Sequence, residues 1–299
     1  MKRIAIDTIF AYLHTHNYQY RSCVKKENMI LKGYSSLVEY KSETVTWVKN
    51  HNMIKNLDLS KITLIIAEEG VENIECDVIY VKNSKAAFFG IIEDLFEYEE
   101  RRMLIGKNTY ISEKVSIGEK VQIGSNCVID GNIKIGDRTT IMDGTVIINN
   151  CEIGCDTIIQ PLCVIGIDGF GYYEDEERNK IMIKHYGGVK IGNNVFVGSH
   201  TNIARGTLGN TIIDDGVKIA PSTHIGHNNY VDKNATIICS NVYGSCYIGR
   251  ESYITACTIK NQTKVGPSSL VGMGAVVTHD VEPGTTVVGI PAKPIKKKE

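Results

Sequence analysis

Ile105-Gly-Lys-Asn-Thr-Tyr110, Ile111-Ser-Glu-Lys-Val-Ser116, Ile117-Gly-Glu-Lys-Val-Gln122 and Ile123-Gly-Ser-Asn-Cys-Val128 open a run in which isoleucine returns at every sixth residue, eleven times, up to Ile165. A period of six fits neither the 3.6 residues of a helical turn nor the alternation of a simple strand. It is the signature of a parallel β-helix in which each hexapeptide forms one short face of a coil. Glycine follows the isoleucine at 106, 118, 124, 136 and 154, as expected where a side chain would crowd the backbone at a corner. Four residues beyond each isoleucine stands a small or β-branched residue: Thr109, Val115, Val121, Cys127, Ile133, Thr139, Thr145, Cys151, Thr157 and Cys163. These two positions are predicted to point inward, with Lys, Glu, Asp and Asn outside.

The frame breaks after Ile165, resumes at Ile191, Val197 and Ile203, breaks again, and continues at Ile213, Ile219, Ile225, Val231 and Ile237. From Ile237 to Ile248, and from Ile254 to Val265, the spacing is one residue short of two hexapeptides; Val265, Val271 and Val277 close the pattern. Insertions in such repeats emerge as loops on one face, commonly the binding face. The first covers about 166–188 and carries Asp168, Gly169, Phe170, Gly171 and Tyr172; the second holds Arg205, Gly206, Thr207, Leu208 and Gly209.

The 299 residues carry a net charge of −1, so no positive field invites nucleic acid. No apolar stretch reaches the ~20 residues that cross a bilayer, and the N-terminus lacks a signal-peptide core, so a cytoplasmic location is expected. Of the nine cysteines, Cys127, Cys151 and Cys163 occupy the inward small-residue position, and no zinc-type C-x-x-C occurs, which reads as reduced packing thiols.

Residues 1–102 lack the period and read as a small α/β domain, followed by the β-helix over 103–290 and a basic tail over 291–299. Strands are expected at Ile62 to Ala67 and Val78 to Val81, and an amphipathic helix from Ala86 to Phe96, ended by the charged run Glu97 to Arg102. The single tryptophan, Trp47, precedes Asn50 by three residues; from residue type alone it is a core plug.

His227 stands two residues after Ile225, which aims it out of the coil at a corner, and His224 precedes it by three. A carbonic-anhydrase-type zinc site would need three convergent histidines. His200, His224 and His227 do not have the spacing of that family, so no metal is expected.

The chain resembles the UDP-3-O-acylglucosamine N-acyltransferases of lipid A synthesis. The resemblance rests on Val164-Ile-Gly-Ile-Asp-Gly-Phe-Gly-Tyr172, Val189-Lys-Ile-Gly192, Thr201-Asn-Ile-Ala-Arg-Gly-Thr-Leu-Gly-Asn-Thr211 and, above all, Val217-Lys-Ile-Ala-Pro-Ser-Thr-His-Ile-Gly-His-Asn228. It implies an N-terminal nucleotide-contacting domain, a left-handed β-helix and a homotrimer. Carried over residue by residue, it makes His227 the general base, with His224 beside it. An imidazole of pKa ~6.5 suits proton removal from an amine that attacks a thioester. A coil of about 18 residues puts Gly244 next to His227, as a backbone donor to the oxyanion. Trp47 and Asn50 would grip a nucleotide base, with Met53 where the family often has a second aromatic. Asp168, Gly169, Phe170, Gly171, Tyr172, Arg205 and Asn228 fall in the stretches expected to contact substrate.

The departures are equally specific. Ala204 and Ala220 replace acidic residues of the family, and Asn261, Gln262 and Thr263 replace a second functional histidine. The family's helical C-terminal extension, associated with acyl carrier protein, is not seen; Val288-Gly-Ile-Pro-Ala-Lys-Pro-Ile-Lys-Lys-Lys298 looks instead like the ending of enzymes that use acyl-CoA. The expectation is therefore an N-acyltransferase that carries a short or hydroxylated acyl group from acyl-CoA to a dTDP- or UDP-amino-deoxysugar, with no permanently bound cofactor. The alternative is the lipid A reaction with acyl carrier protein, and the remote alternative a non-catalytic trimeric scaffold.

Overall fold

The computed structural model describes residues 2–97 and 102–297. Residues 98–101 of the expected charged run, and Lys298 and Glu299 of the basic tail, lie outside the described residues. Two compact units are present, Met1–Glu100 and Arg101–Glu299.

In the first unit a five-stranded sheet runs in the order Tyr20–Ser22, Val78–Val81, Leu64–Glu68, Thr44–Val48 and Gly33–Tyr34, parallel except for the first strand. Its central strands are continuous apolar runs because both faces are covered. Ile66 and Ile79 pack with Ile9 and Leu13 of the helix Ile6–Thr15 and with Phe88 and Ile91 of the helix Ser84–Ile91. Ile65 and Val78 pack on the other side with Val48, Ile54 and Ile62. The second helix starts at Asn83, whose Oδ1 accepts from the Ala86 N–H, and after Ile91 it loosens into a π-turn over Ile92–Phe96. The helix expected to begin at Ala86 therefore starts two residues earlier.

The second unit is a left-handed parallel β-helix built from sheets of eight, nine and eleven strands. Neighbouring coils pair in register eighteen residues apart, Ile117 on Ile135 and Ile123 on Ile141, so the isoleucines stack into columns. From Ile123 onward these columns are almost wholly buried, whereas Ile105 at the first coil is 47% exposed. Each fully buried isoleucine contributes roughly 1.5–3 kcal/mol over its exposed state.

The second inward position does more than fill space. Thr139 Oγ1 donates to the Gly154 carbonyl at 2.7 Å and accepts from the Thr157 N–H, and Thr157 Oγ1 repeats this with Gly192 and Val195 in the next coil. Burial pushes the Cys151 thiol up to about 12 and the Cys163 thiol up to about 11, so both stay protonated.

The crowding expected after each isoleucine is real: a Cβ on Gly136 would stand 2.6 Å from the Gly154 carbonyl carbon. The chain itself turns two residues later. Asn108, Lys120, Asn126, Arg138, Asp156 and Leu162, each three residues past an isoleucine, hold φ between 54° and 62°. Within the described part of the tail, Lys293–Lys297 folds back antiparallel on Thr285–Val288.

Candidate functional site

Two breaks in the period and one corner build the site together. After the strand Val164–Ile167 the first insertion leaves the coil and forms a small antiparallel hairpin, Tyr172–Glu174 on Lys180–Met182. It returns against the second insertion, where the Tyr186 N–H donates to the Thr207 carbonyl at 2.7 Å and the Gly187 N–H to the Gly206 carbonyl at 3.0 Å. The corner after Ile225 meets both. Asn228 takes the left-handed position, with φ 59°, and His227 precedes it.

Hydrogen bonding fixes the state of His227. The Thr207 N–H donates at 3.0 Å to Asn228 Oδ1, which identifies that atom as the amide oxygen. His227 Nδ1 lies 2.9 Å from the same oxygen, an acceptor, so Nδ1 carries the proton. Nε2 is then the bare nitrogen. It faces Gly244, where an added Cβ would stand 2.7 Å away. The stacking expected between these two residues is present, with a coil of seventeen residues here: His224 pairs with Asn241, and the Ser245 N–H donates to the His227 carbonyl. The Gly244 N–H has no acceptor among the described residues.

A cavity of about 430 Å³ opens at this corner. His227, His224, Gly244, Asp168, Gly169 and Phe170 are on its wall, together with Asn261. His224 Nδ1 lies 3.0 Å from Asn202 Oδ1, and burial holds the His224 imidazole below its ordinary pKa, so it is neutral near pH 7. Ala204 also lines the cavity, as does Asn261 of the stretch 261–263.

Several expected contacts have other tasks. Arg205 is buried, and its Nε and Nη2 hold Asp168 Oδ1 at 2.7 and 2.6 Å. Burial pushes the Asp168 carboxyl up, but the His185 N–H and the Arg205 guanidinium outweigh it and leave Asp168 below the usual carboxylate value. Arg205 is thus a clamp on the loop and not a group that reaches into the cavity. Asn228 likewise is spent on Thr207 and His227, off the cavity wall, so its expected substrate contact is replaced by orienting the histidine.

Gly169, on the cavity wall, also approaches the histidine corner closely, since a Cβ there would stand 2.7 Å from His227 Cδ2. Gly171 lies away from the cavity and anchors the hairpin, its carbonyl accepting from the Ile183 N–H. Tyr172 also stands off the cavity, edge-on to Phe170 and under the Lys180 ammonium. His185, which the sequence did not single out, is buried, with its ring 5.2 Å from that of His227.

The first unit holds a larger cavity, about 850 Å³, beyond the carboxyl ends of its parallel strands, lined by Lys49, Lys82, Lys85, Glu68 and Asn83 among others. Glu68 is occupied by the N–H and hydroxyl of Ser84, and no histidine is present there. The chemistry therefore points to the smaller cavity. Trp47 is half-buried against Phe88 and Phe89 on the helix-covered face, whereas Met53 packs on the opposite face and Asn50 is exposed. The structure does not bring Trp47 and Met53 to one pocket. His200, at another exposed corner, is apart from the cavity. Among the described residues no His, Cys, Asp and Glu cluster is suited to a metal.

No family model matches the chain. A UDP-3-O-acylglucosamine N-acyltransferase of Methylococcus capsulatus is 34% identical over 152 residues, 50% of this chain and 42% of that protein. One of Herminiimonas arsenicoxydans is 36% identical over 139 residues, 45% of this chain and 39% of that protein. The chain thus spans less than half the length of these curated relatives. Among solved structures, LpxA of Acinetobacter baumannii has a TM-score of 0.57 at 23% identity, over 63% of this chain and 72% of that one. LpxA of Bacteroides fragilis, a UDP-N-acetylglucosamine acyltransferase, has 0.56 at 24%, over 62% and 71%. These two share the fold. The resemblance read from residues 164–228 is upheld: over about half its length this chain is similar to the UDP-3-O-acylglucosamine N-acyltransferases.

Proposed function

We propose that this chain is an N-acyltransferase that moves an acyl group from a thioester to the amine of a UDP-linked, acylated glucosamine. The observation that carries the reading is the His227 corner, where Nδ1 is held by Asn228 and Nε2 stands beside Gly244 at the mouth of a cavity. The amine nitrogen attacks the thioester carbonyl carbon, the C–N bond forms and the C–S bond breaks. His227 Nε2 takes the proton lost by the amine and returns it to the departing thiolate. The Gly244 N–H is the proposed donor to the oxyanion, and a neutral His224 is placed to orient a substrate hydroxyl or amide.

Similarity to relatives that bear the lipid A substrate in their names reverses the order of the two readings from sequence. Nothing among the relatives supports a dTDP-sugar or acyl-CoA, and the basic ending taken as a CoA signal is in part a paired strand. The acyl carrier is proposed to be acyl carrier protein. Trp47 and Asn50 remain the proposed contacts to the base, with Phe170 against the sugar or acyl chain.

Three copies are proposed to assemble, because Phe170, 77% exposed, and Tyr243, 48%, stand on the cavity wall and Leu208, 81%, is exposed on the second insertion. Incubation of the purified protein with UDP-3-O-acylglucosamine and acyl carrier protein thioesters, in parallel with dTDP-amino sugars and acyl-CoA, tests the reading. Amide formation only in the second series would return the assignment to the deoxysugar. No product in either would remove the enzymatic reading.

A further inference from the structure

His185 is part of neither the cavity wall nor any residue set read from the sequence, yet it carries an anomaly. It is 1% exposed, and its Nε2 is buried with no hydrogen-bond partner. Its tautomer is determined: Nδ1 lies 3.0 Å from the Ile183 carbonyl, which only accepts, so Nδ1 holds the proton and Nε2 is a naked lone pair. Such an acceptor, stripped of water and given no donor, is costly, and native structures keep few of them. The nearest ring is that of His227, at 5.2 Å with the planes at 77°.

The surroundings decide what the lone pair can do. The titratable groups around His227 are His185, His224, Asp168 and Tyr243, with Arg205 behind Asp168 and bonded to it. Arg205 is neutralised by that contact, and His224 is neutral, so His227 has no adjacent unpaired cation. When Nε2 of His227 takes a proton, a full positive charge forms on a ring whose centroid is 5.2 Å from that of His185, the ring that carries the unpartnered Nε2.

Resting on the acyl-transfer reading above, we infer that His185 is a positioning residue for His227: packed edge to face against it, it holds the imidazole over Gly244 and stabilises the imidazolium that forms as the amine is deprotonated. Its side chain has no contact with the cavity, so it acts through His227. The hairpin exists in part to seat it: the His185 N–H donates to Asp168 Oδ2 at 3.2 Å, and Asp168 is fixed by Arg205.

Two variants separate this from plain packing. His185→Phe keeps a ring of similar size but has no lone pair, and His185→Gln restores an acceptor. In an NMR titration of the His227 ring, which needs no substrate, His185→Phe is expected to lower the His227 pKa by about one unit, and Gln to recover part of it. In the acylation assay His185→Phe is expected to reduce kcat about tenfold at unchanged KM, to move the acid limb of the rate to lower pH, and to add nothing in a His227→Ala background. A His227 titration that is the same in wild type and His185→Phe, both with wild-type melting temperature, overturns the inference and makes His185 a filler. An active His227→Ala enzyme would overturn the acyl-transfer reading, while the titration would still decide the charge interaction. Should His185→Phe fail to fold, His185→Leu, which fills space without an acceptor, replaces it: a lower His227 pKa and kcat in His185→Leu than in His185→Gln support the inference, and equal values in the two overturn it.

Discussion

At the scale of single residues, the site depends on two hydrogen bonds to one oxygen. The Thr207 N–H pins the Asn228 amide, and the amide pins the proton on His227 Nδ1. His227→Ala is therefore expected to cut kcat by roughly 10²- to 10⁴-fold with little change in KM, the ordinary value of a placed general base. Steady-state kinetics check this, and the acid limb of the wild-type profile should vanish in the variant. His224 gives a second test, on stability. Burial lowers its folded pKa below the unfolded value near ~6.5. A base with a lowered folded pKa binds fewer protons folded than unfolded. Its contribution is therefore complete above ~6.5 and is lost as pH falls from there through the lowered native value. Urea midpoints at pH 7.5 and pH 5.5 should fall further in the wild type than in His224→Gln; parallel losses would show that His224 is not a buried neutral base. Both outward histidines were legible from their distance to Ile225. The role of Asn228 was not, because the left-handed turn falls three residues past the isoleucine, and only the folded corner shows Thr207 donating to it.

At the scale of elements, the insertion of 166–188 is readable as a loop because the hexapeptide frame stops and restarts. What the loop does is not readable, since its contacts reach residues as far along the chain as His227. Arg205 looked like a substrate ligand and is a clamp; His185 drew no notice because a lone histidine inside an insertion, outside the hexapeptide frame, gives no sign that folding will bury it. Gly169 carries the sharpest consequence. A methyl group there would lie 2.7 Å from His227 Cβ and Cδ2, while that ring is held by Asn228 on one side and backed by His185. Gly169→Ala is expected to displace His227 and lower kcat at least tenfold, while the melting temperature stays within a few degrees, because the loop contributes little to the isoleucine columns. A crystal structure of the variant checks the displacement. An unmoved imidazole with full activity would mean that the loop gives way instead.

At the scale of the whole molecule, the β-helix was legible because its core repeats the same two positions in every coil, and a stack of identical contacts leaves a periodic trace in the chain. Where the trace shortens, from Ile237 to Ile248, the coil takes seventeen residues and still pairs in register, which sets Gly244 against His227. The first unit left no such trace, because a small α/β sheet buries both faces with runs too short to order from sequence. The open wall of the cavity belongs to this scale. Phe170 and Tyr243 are exposed on it, Leu208 is exposed on the second insertion, and Tyr230 stacks on Tyr247 with the two hydroxyls directed to Asp214 and Asp232. Large apolar side chains kept at the mouth of the proposed site imply a cover, and closed rotational assembly covers every copy with the same patch. Sedimentation equilibrium at micromolar concentration is expected to give three chains per particle, and Leu208→Glu, off the cavity lining, to weaken the particle and the activity together. A fully active monomer would show that one copy closes its own site, and the exposed side chains would then belong to the binding of substrate.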